Sequence, residues 1–131
     1  MGSNMNKTND TQVTPTEIKL HQQSKVLEIT FSDGRQFDYS CEFLRVYSPS
    51  AEVQGHGPGQ EVLQLGKEDV TIDALEPVGN YAIKPTFSDG HSTGIFSWVL
   101  LYSMGLDQKE MWNDYLNRLQ KADYQRKSKT S

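Results

Sequence analysis

His91 is the residue best placed to do chemistry in this chain of 131 residues. It follows the tetrapeptide Phe87-Ser88-Asp89-Gly90, stands next to Ser92 and Thr93, and precedes Trp98. An imidazole changes charge near neutral pH, so it suits acid–base work, metal ligation or partner contact. A turn histidine bonded to its own backbone is the plainer alternative. Asp89 and Ser92 are its near neighbours in sequence, yet neither is spaced as a nucleophile or paired carboxylate. Arg45 is a candidate to pair with Asp89 across the fold, although exposed ion pairs contribute little.

Several chemistries are excluded. Gly55-His56-Gly57-Pro58-Gly59 lacks the Lys-Ser/Thr of a phosphate-binding loop and reads as a flexible turn. None of His21, His56 and His91 begins a His-x-Asp/Glu pair, which removes the facial triad of iron oxygenases. Cys41 is the single cysteine, so one chain encodes neither a disulfide nor a Cys-rich metal site. Beside Phe43 it reads as a small core residue.

The elements that must hold His91 are legible from alternation. Glu17–His21, Val26–Phe31 and Gln36–Tyr39 read as a meander of three strands. Asp33-Gly34 turns the last two, because Asp and Gly tolerate the positive φ of tight hairpins. Ser40 caps a short helical turn over 41–45. Tyr47–Gly59, with its glycines and prolines, reads as a long loop without regular structure. Further strands are expected at Val62–Leu65, Val70–Val78, Tyr81–Phe87 and Thr93–Phe96. Ser97 caps a helix over Trp98–Met104, which Gly105 ends in the left-handed conformation. A second helix starts at Asp107, with Met111, Trp112, Tyr115, Leu116 and Leu119 on one face. The fold class is α+β: an antiparallel sheet of hairpins with C-terminal helices packed on it. The tetrapeptide Phe-Ser-Asp-Gly occurs at Phe31–Gly34 and Phe87–Gly90 and marks two strand–turn–strand units, but the flanks differ, so only the turn chemistry reads as shared.

Hydrophobic residues make up 35% of the chain, and the polar ends explain much of that low share. Residues 1–15 are expected to be disordered, with Met1-Gly2-Ser3 ahead of Met5 as a cloning remnant. The domain is expected at 16–122, with a disordered basic tail over 123–131. Residues 17–120 carry eight Lys/Arg against 15 Asp/Glu, and Lys121, Arg126, Lys127 and Lys129 face Asp123 in the tail. An acidic body argues against nucleic acid, since phosphate contacts need clustered cations. No apolar run reaches a membrane span. No charged-then-apolar leader is seen, and a cytoplasmic location is expected.

Three segments together resemble a known family. They are Phe43-Leu44-Arg45-Val46-Tyr47-Ser48-Pro49-Ser50-Ala51-Glu52-Val53, Ile72, and Phe87-Ser88-Asp89-Gly90-His91-Ser92-Thr93-Gly94-Ile95-Phe96-Ser97-Trp98-Val99-Leu100. They look like the gamma-butyrobetaine hydroxylase-like N-terminal domain, a bacterial family of unknown function. A similar domain precedes the catalytic domain of carnitine-synthesis dioxygenases and is appended to some P-loop ATPases that carry iron–sulfur clusters. In the dioxygenases the resemblance implies a structural zinc, held by a Cys-x-Cys-x-x-Cys run and a histidine. By position these are Ser48, Ser50, Val53 and His91 here, so the thiols are missing and the site is expected to be vestigial. The dioxygenase catalytic domain is absent, so that activity does not transfer.

The expectation is a non-enzymatic adaptor domain without cofactor, binding a protein partner linked to iron–sulfur protein maturation. Its contact residues would be Arg45, Tyr47, His56, Asp89, His91 and Trp98. The alternative is a metal site of His91 with His56 or Cys41, completed by a partner chain. An enzyme using His91 with Asp89 or Ser92 ranks last.

Overall fold

A computed structural model describes residues 13–55 and 61–126. The elements run β1 (Pro15–His21), β2 (Val26–Phe31), β3 (Gln36–Ser40), α1 (Cys41–Val46), α2 (Ala51–Gln54), β4 (Ile72–Val78), β5 (Ala82–Phe87), β6 (Phe96–Ser97) and α3 (Trp98–Lys121). The α+β class holds, but the strands form two antiparallel sheets rather than one: β1-β2-β3 and β4-β5-β6.

The two sheets repeat each other at their turns and helix caps. In the first turn the Phe31 N–H donates to the Arg35 carbonyl, at 2.8 Å, and the Gly34 N–H to the Phe31 carbonyl, at 2.9 Å. In the second, Phe87 donates to His91 and Gly90 to Phe87, both at 2.9 Å. Gly34 and Gly90 have φ of 92° and 93°, a region in which a Cβ is strained. Asp33 Oδ1 accepts the Arg35 N–H and Asp89 Oδ1 the His91 N–H. Ser32 and Ser88 each bond a threonine at the head of the first strand, Thr14 and Thr71. Ser40 pairs with Val26, as Ser97 does with Ala82. Each serine then caps the helix that follows, accepting from Phe43 and Leu100 respectively. The doubled tetrapeptide therefore marks two strand–turn–strand units, as expected, and the repeat extends to the capped helix that follows each, beyond the shared turn. Hydrogen bonds and registers can be equivalent while side chains differ.

The units dock reciprocally. Asp33 Oδ2 in the first turn accepts from Tyr102 of α3, the helix of the second unit, at 2.5 Å. Asp89 Oδ2 in the second turn accepts from Arg45 of α1, the helix of the first, at 2.9 Å. One core lies between them, built from Leu27, Ile29, Phe31 and Tyr39 of one sheet and Ile72, Ile83, Phe87 and Phe96 of the other. Leu44, Leu101 and Met104 complete it from the helices. Apolar burial of this kind is the main term favouring the fold. Cys41 belongs to this core, as its neighbours in sequence suggest.

The C-terminal half differs most from the expectation. Trp98–Lys121 is one helix of 24 residues, so Gly105 does not end a helix and Asp107 does not start one. Gly105 serves close approach instead: a Cβ there would stand 2.5 Å from the Phe37 ring. Val62–Leu65 forms no strand, and the strand expected at Thr93–Phe96 shrinks to Phe96–Ser97. The loop after Tyr47 contains a single helical turn, α2. Beyond α3, Arg126 bonds the buried Glu42 carboxylate and lies over the Trp112 ring, while the Tyr124 hydroxyl donates to Glu68. Residues 123–126 therefore pack on the domain that the sequence reading ended at 122.

Gly→Ala inside a helix ordinarily stabilises by about 1 kcal/mol. Gly105→Ala is expected to do the reverse, costing about 1–3 kcal/mol through overpacking against Phe37. Urea unfolding should show a lower midpoint with an unchanged slope; a higher midpoint would contradict this packing.

Candidate functional site

The second unit departs from the first just where His91 lies. Between Gly90 and Phe96 the chain leaves the sheet, and Gly94 meets the loop after α1. A Cβ at Gly94 would collide with the Ser48 hydroxyl. This close approach seats Ser48 and Ser50 against the His91 ring. His91 Nε2 is 2.9 Å from Ser48 Oγ and 3.3 Å from Ser50 Oγ. His91 Nδ1 is 2.8 Å from Glu52 Oε1.

These partners favour one tautomer. A carboxylate only accepts, so a proton on Nδ1 is the one that meets Glu52. Nε2 of the neutral ring is then an acceptor, and the nearer hydroxyl, that of Ser48, donates to it. The ring is almost sealed, with its side chain 3% exposed, whereas Glu52 is 67% exposed. Burial, then the Arg45 charge, lowers the His91 pKa against the opposing pull of Glu52 and Asp89.

Asp89 is the second centre. Its Oδ2 accepts from Arg45 Nε at 2.9 Å and Lys67 Nζ at 2.6 Å, and its Oδ1 from the His91 N–H. Burial alone would raise its pKa; Lys67, the His91 N–H and Arg45 outweigh this and hold it down to about 2. Arg45 is buried, and its Nη1 has no hydrogen-bond partner among the described residues.

A groove of about 750 Å³ opens beside the cluster. Val46, Val53, Leu63 and Tyr115 give it apolar walls, and Ser48 forms part of one side. The Tyr47 hydroxyl donates to the Met111 carbonyl at 2.7 Å and accepts from Arg118, whose guanidinium also lies over the Tyr47 ring.

The structure thus brings together Arg45, Ser48, Ser50, Asp89 and His91, with Tyr47 and Val53 on the adjoining groove. Trp98 has other neighbours: its indole N–H donates to the Asn80 carbonyl, and it lines a second hollow with Ile18. His56 lies outside the described residues. Cys41 sits in the core, its N–H bonded to Lys25. Glu52 and Lys67 were missed by the sequence reading. Ser50 followed by Glu52 is a helix-start signal that could have flagged Glu52; Lys67 carried none.

The cluster does not fit a zinc ion. One imidazole and two serine hydroxyls are a poor donor set, and Val53 offers no donor. Among the described residues no group of three His, Cys, Asp or Glu is placed to hold a metal.

The pKa directions give a stability profile with two windows. The unfolded chain protonates His91 near its ordinary value, whereas the folded chain resists protonation. Stability is therefore expected to fall as pH drops through the ordinary histidine range and below it. Asp89, held at about 2 against an ordinary 3.8, contributes stability that is lost as pH falls between those values. Thermal melts across pH should show the first loss removed by His91→Gln and the second retained. An unchanged profile in that variant would contradict the assignment.

Comparison with known proteins places the chain. The family model described as "Gamma-butyrobetaine hydroxylase-like, N-terminal" matches residues 18–102. An NMR solution structure of a protein is 50% identical, with a TM-score of 0.76, and the match covers 93% of this chain and 90% of that one. A second NMR structure is 42% identical, with a TM-score of 0.75 and coverage of 91% and 96%. A crystal structure of a protein with unknown function, of the DUF971 family from Acidithiobacillus ferrooxidans, is 37% identical. Its TM-score is 0.60, with 70% of this chain and 92% of that one covered. No curated protein matches. By the extent of the family match, this chain belongs to the gamma-butyrobetaine hydroxylase-like N-terminal domain family.

Proposed function

We propose that the domain is a protein-binding adaptor that presents the loop after Tyr47 and the groove beside it to a partner. The observation that carries this reading is the groove, whose wall runs from Tyr47 and Val53 to Leu63, Tyr115 and Arg118 beside that loop. Partner side chains would fill it.

The mixed lining, apolar at Val46, Val53 and Leu63 and polar at Gln64, Asp114 and Arg118, supports the same reading, since recognition sites combine burial with directional bonds. Tyr47 and Arg118 are residue types that recur at interface hot spots. No helix among the described residues is long and apolar enough to cross a membrane. The acidic body makes nucleic acid a poor partner. The family's tie to cluster-carrying P-loop ATPases makes iron–sulfur protein maturation, in the cytoplasm, the context we infer for this partner.

Titration calorimetry of the full chain against a cluster-carrying P-loop ATPase tests the proposal. Saturable binding is expected, weakened about tenfold or more by Tyr47→Ala, which removes a ring from the groove wall. Absence of heat, or equal affinity in the variant, would contradict it.

A further inference from the structure

The sequence neighbours of His91 supply no nucleophile, but the fold does. Ser48, His91 and Glu52 stand in line as a relay would need: Ser48 Oγ is 2.9 Å from Nε2 and Glu52 Oε1 is 2.8 Å from Nδ1. Such a relay is defined by geometry and roles, not by sequence order. We propose that Ser48 is a base-activated nucleophile that accepts acyl groups from esters. This goes beyond partner binding and does not rest on it.

Each member has a role that its surroundings support. Glu52 holds the ring in the tautomer that leaves Nε2 free to take a proton. The ring is screened from water, and the Asp89 carboxylate fixes its backbone through the His91 N–H. Gly94, lacking a Cβ, is what lets Ser48 Oγ reach the ring at all. Ser50, at 3.3 Å, is the more distant hydroxyl and does not displace it.

The step balances within the cluster. Ser48 Oγ bonds to the ester carbonyl carbon and passes its proton to His91 Nε2. The ester C–O bond breaks, and the leaving alkoxide takes that proton as an alcohol. Water then cleaves the acyl-serine by the same relay, with the proton returned to Ser48 Oγ.

Access runs through the groove. Ser48 is closed to solvent at rest, yet it shares the groove wall with Val53 and Gln54 of α2. α2 is a single turn of four residues, and its N-cap hydroxyl, that of Ser50, bonds His91 rather than the helix. The apolar walls suit an aliphatic or aryl acyl group.

A fluorophosphonate probe tests the proposal on the full chain, because serine attack on phosphorus expels fluoride by the same proton path. Peptide mass mapping should find the adduct on Ser48, at a rate that rises with pH and levels off once His91 is neutral. Ser48→Ala should abolish it. His91→Gln should slow it about 100-fold or more, the scale of general-base assistance. Circular dichroism melts establish that each variant is folded; should Ser48→Ala unfold, the mapped wild-type adduct and the His91→Gln rate decide. No adduct under conditions that label a control serine hydrolase, an adduct on Ser50 instead, or a rate unmoved by His91→Gln would overturn the proposal.

Discussion

The turn built from Phe-Ser-Asp-Gly is the constraint on which the rest of the domain depends. Its glycine turns the chain at positive φ, and its aspartate accepts the N–H two residues on. That leaves Oδ2 free to reach across the fold. Asp33 uses it on Tyr102 of α3, and Asp89 uses it on Arg45 of α1. Each turn thereby grips the helix of the other unit, and the two sheets close over one core. The helix of each unit is positioned by the opposite turn as well as by its own serine cap.

Within that symmetry the second unit has been adapted. Its third strand is cut to two residues, and the released stretch passes Gly94 beneath Ser48. In the first unit the residue after Asp-Gly is Arg35, exposed and paired locally with Asp33. In the second it is His91, buried and bonded to three side chains from the loop after α1. The same backbone turn thus supports a surface ion pair in one place and a buried polar cluster in the other. A buried cluster of this kind specifies one arrangement, because each member left unpaired would cost more than a solvated one.

Much of this was legible in sequence because it rests on local rules. The Asp-Gly turns, the serine caps at Ser40 and Ser97 and the β4–β5 hairpin all follow from residue types at fixed offsets. Gly105 misled, since a glycine between two polar-start signals looks like a boundary; its reason lies in Phe37, 68 positions away in the chain. The reach of the repeat into the capped helices was hidden because backbone bonding was kept while side chains diverged. Ser48 and Ser50 were visible only through family resemblance, and Glu52 and Lys67 reach the site from loops whose course no periodicity encodes.

The site turns on His91 as a neutral, Nδ1-protonated imidazole between Glu52 and the Ser48 hydroxyl. Long-range nitrogen–proton NMR correlation of the histidine rings at neutral pH tests it directly, since it distinguishes the two neutral tautomers from the cation. The account predicts a protonated Nδ1 and an unprotonated Nε2 for His91, reverting to a mixture in Glu52→Gln. A proton on Nε2, or a fully charged ring at that pH, would contradict it.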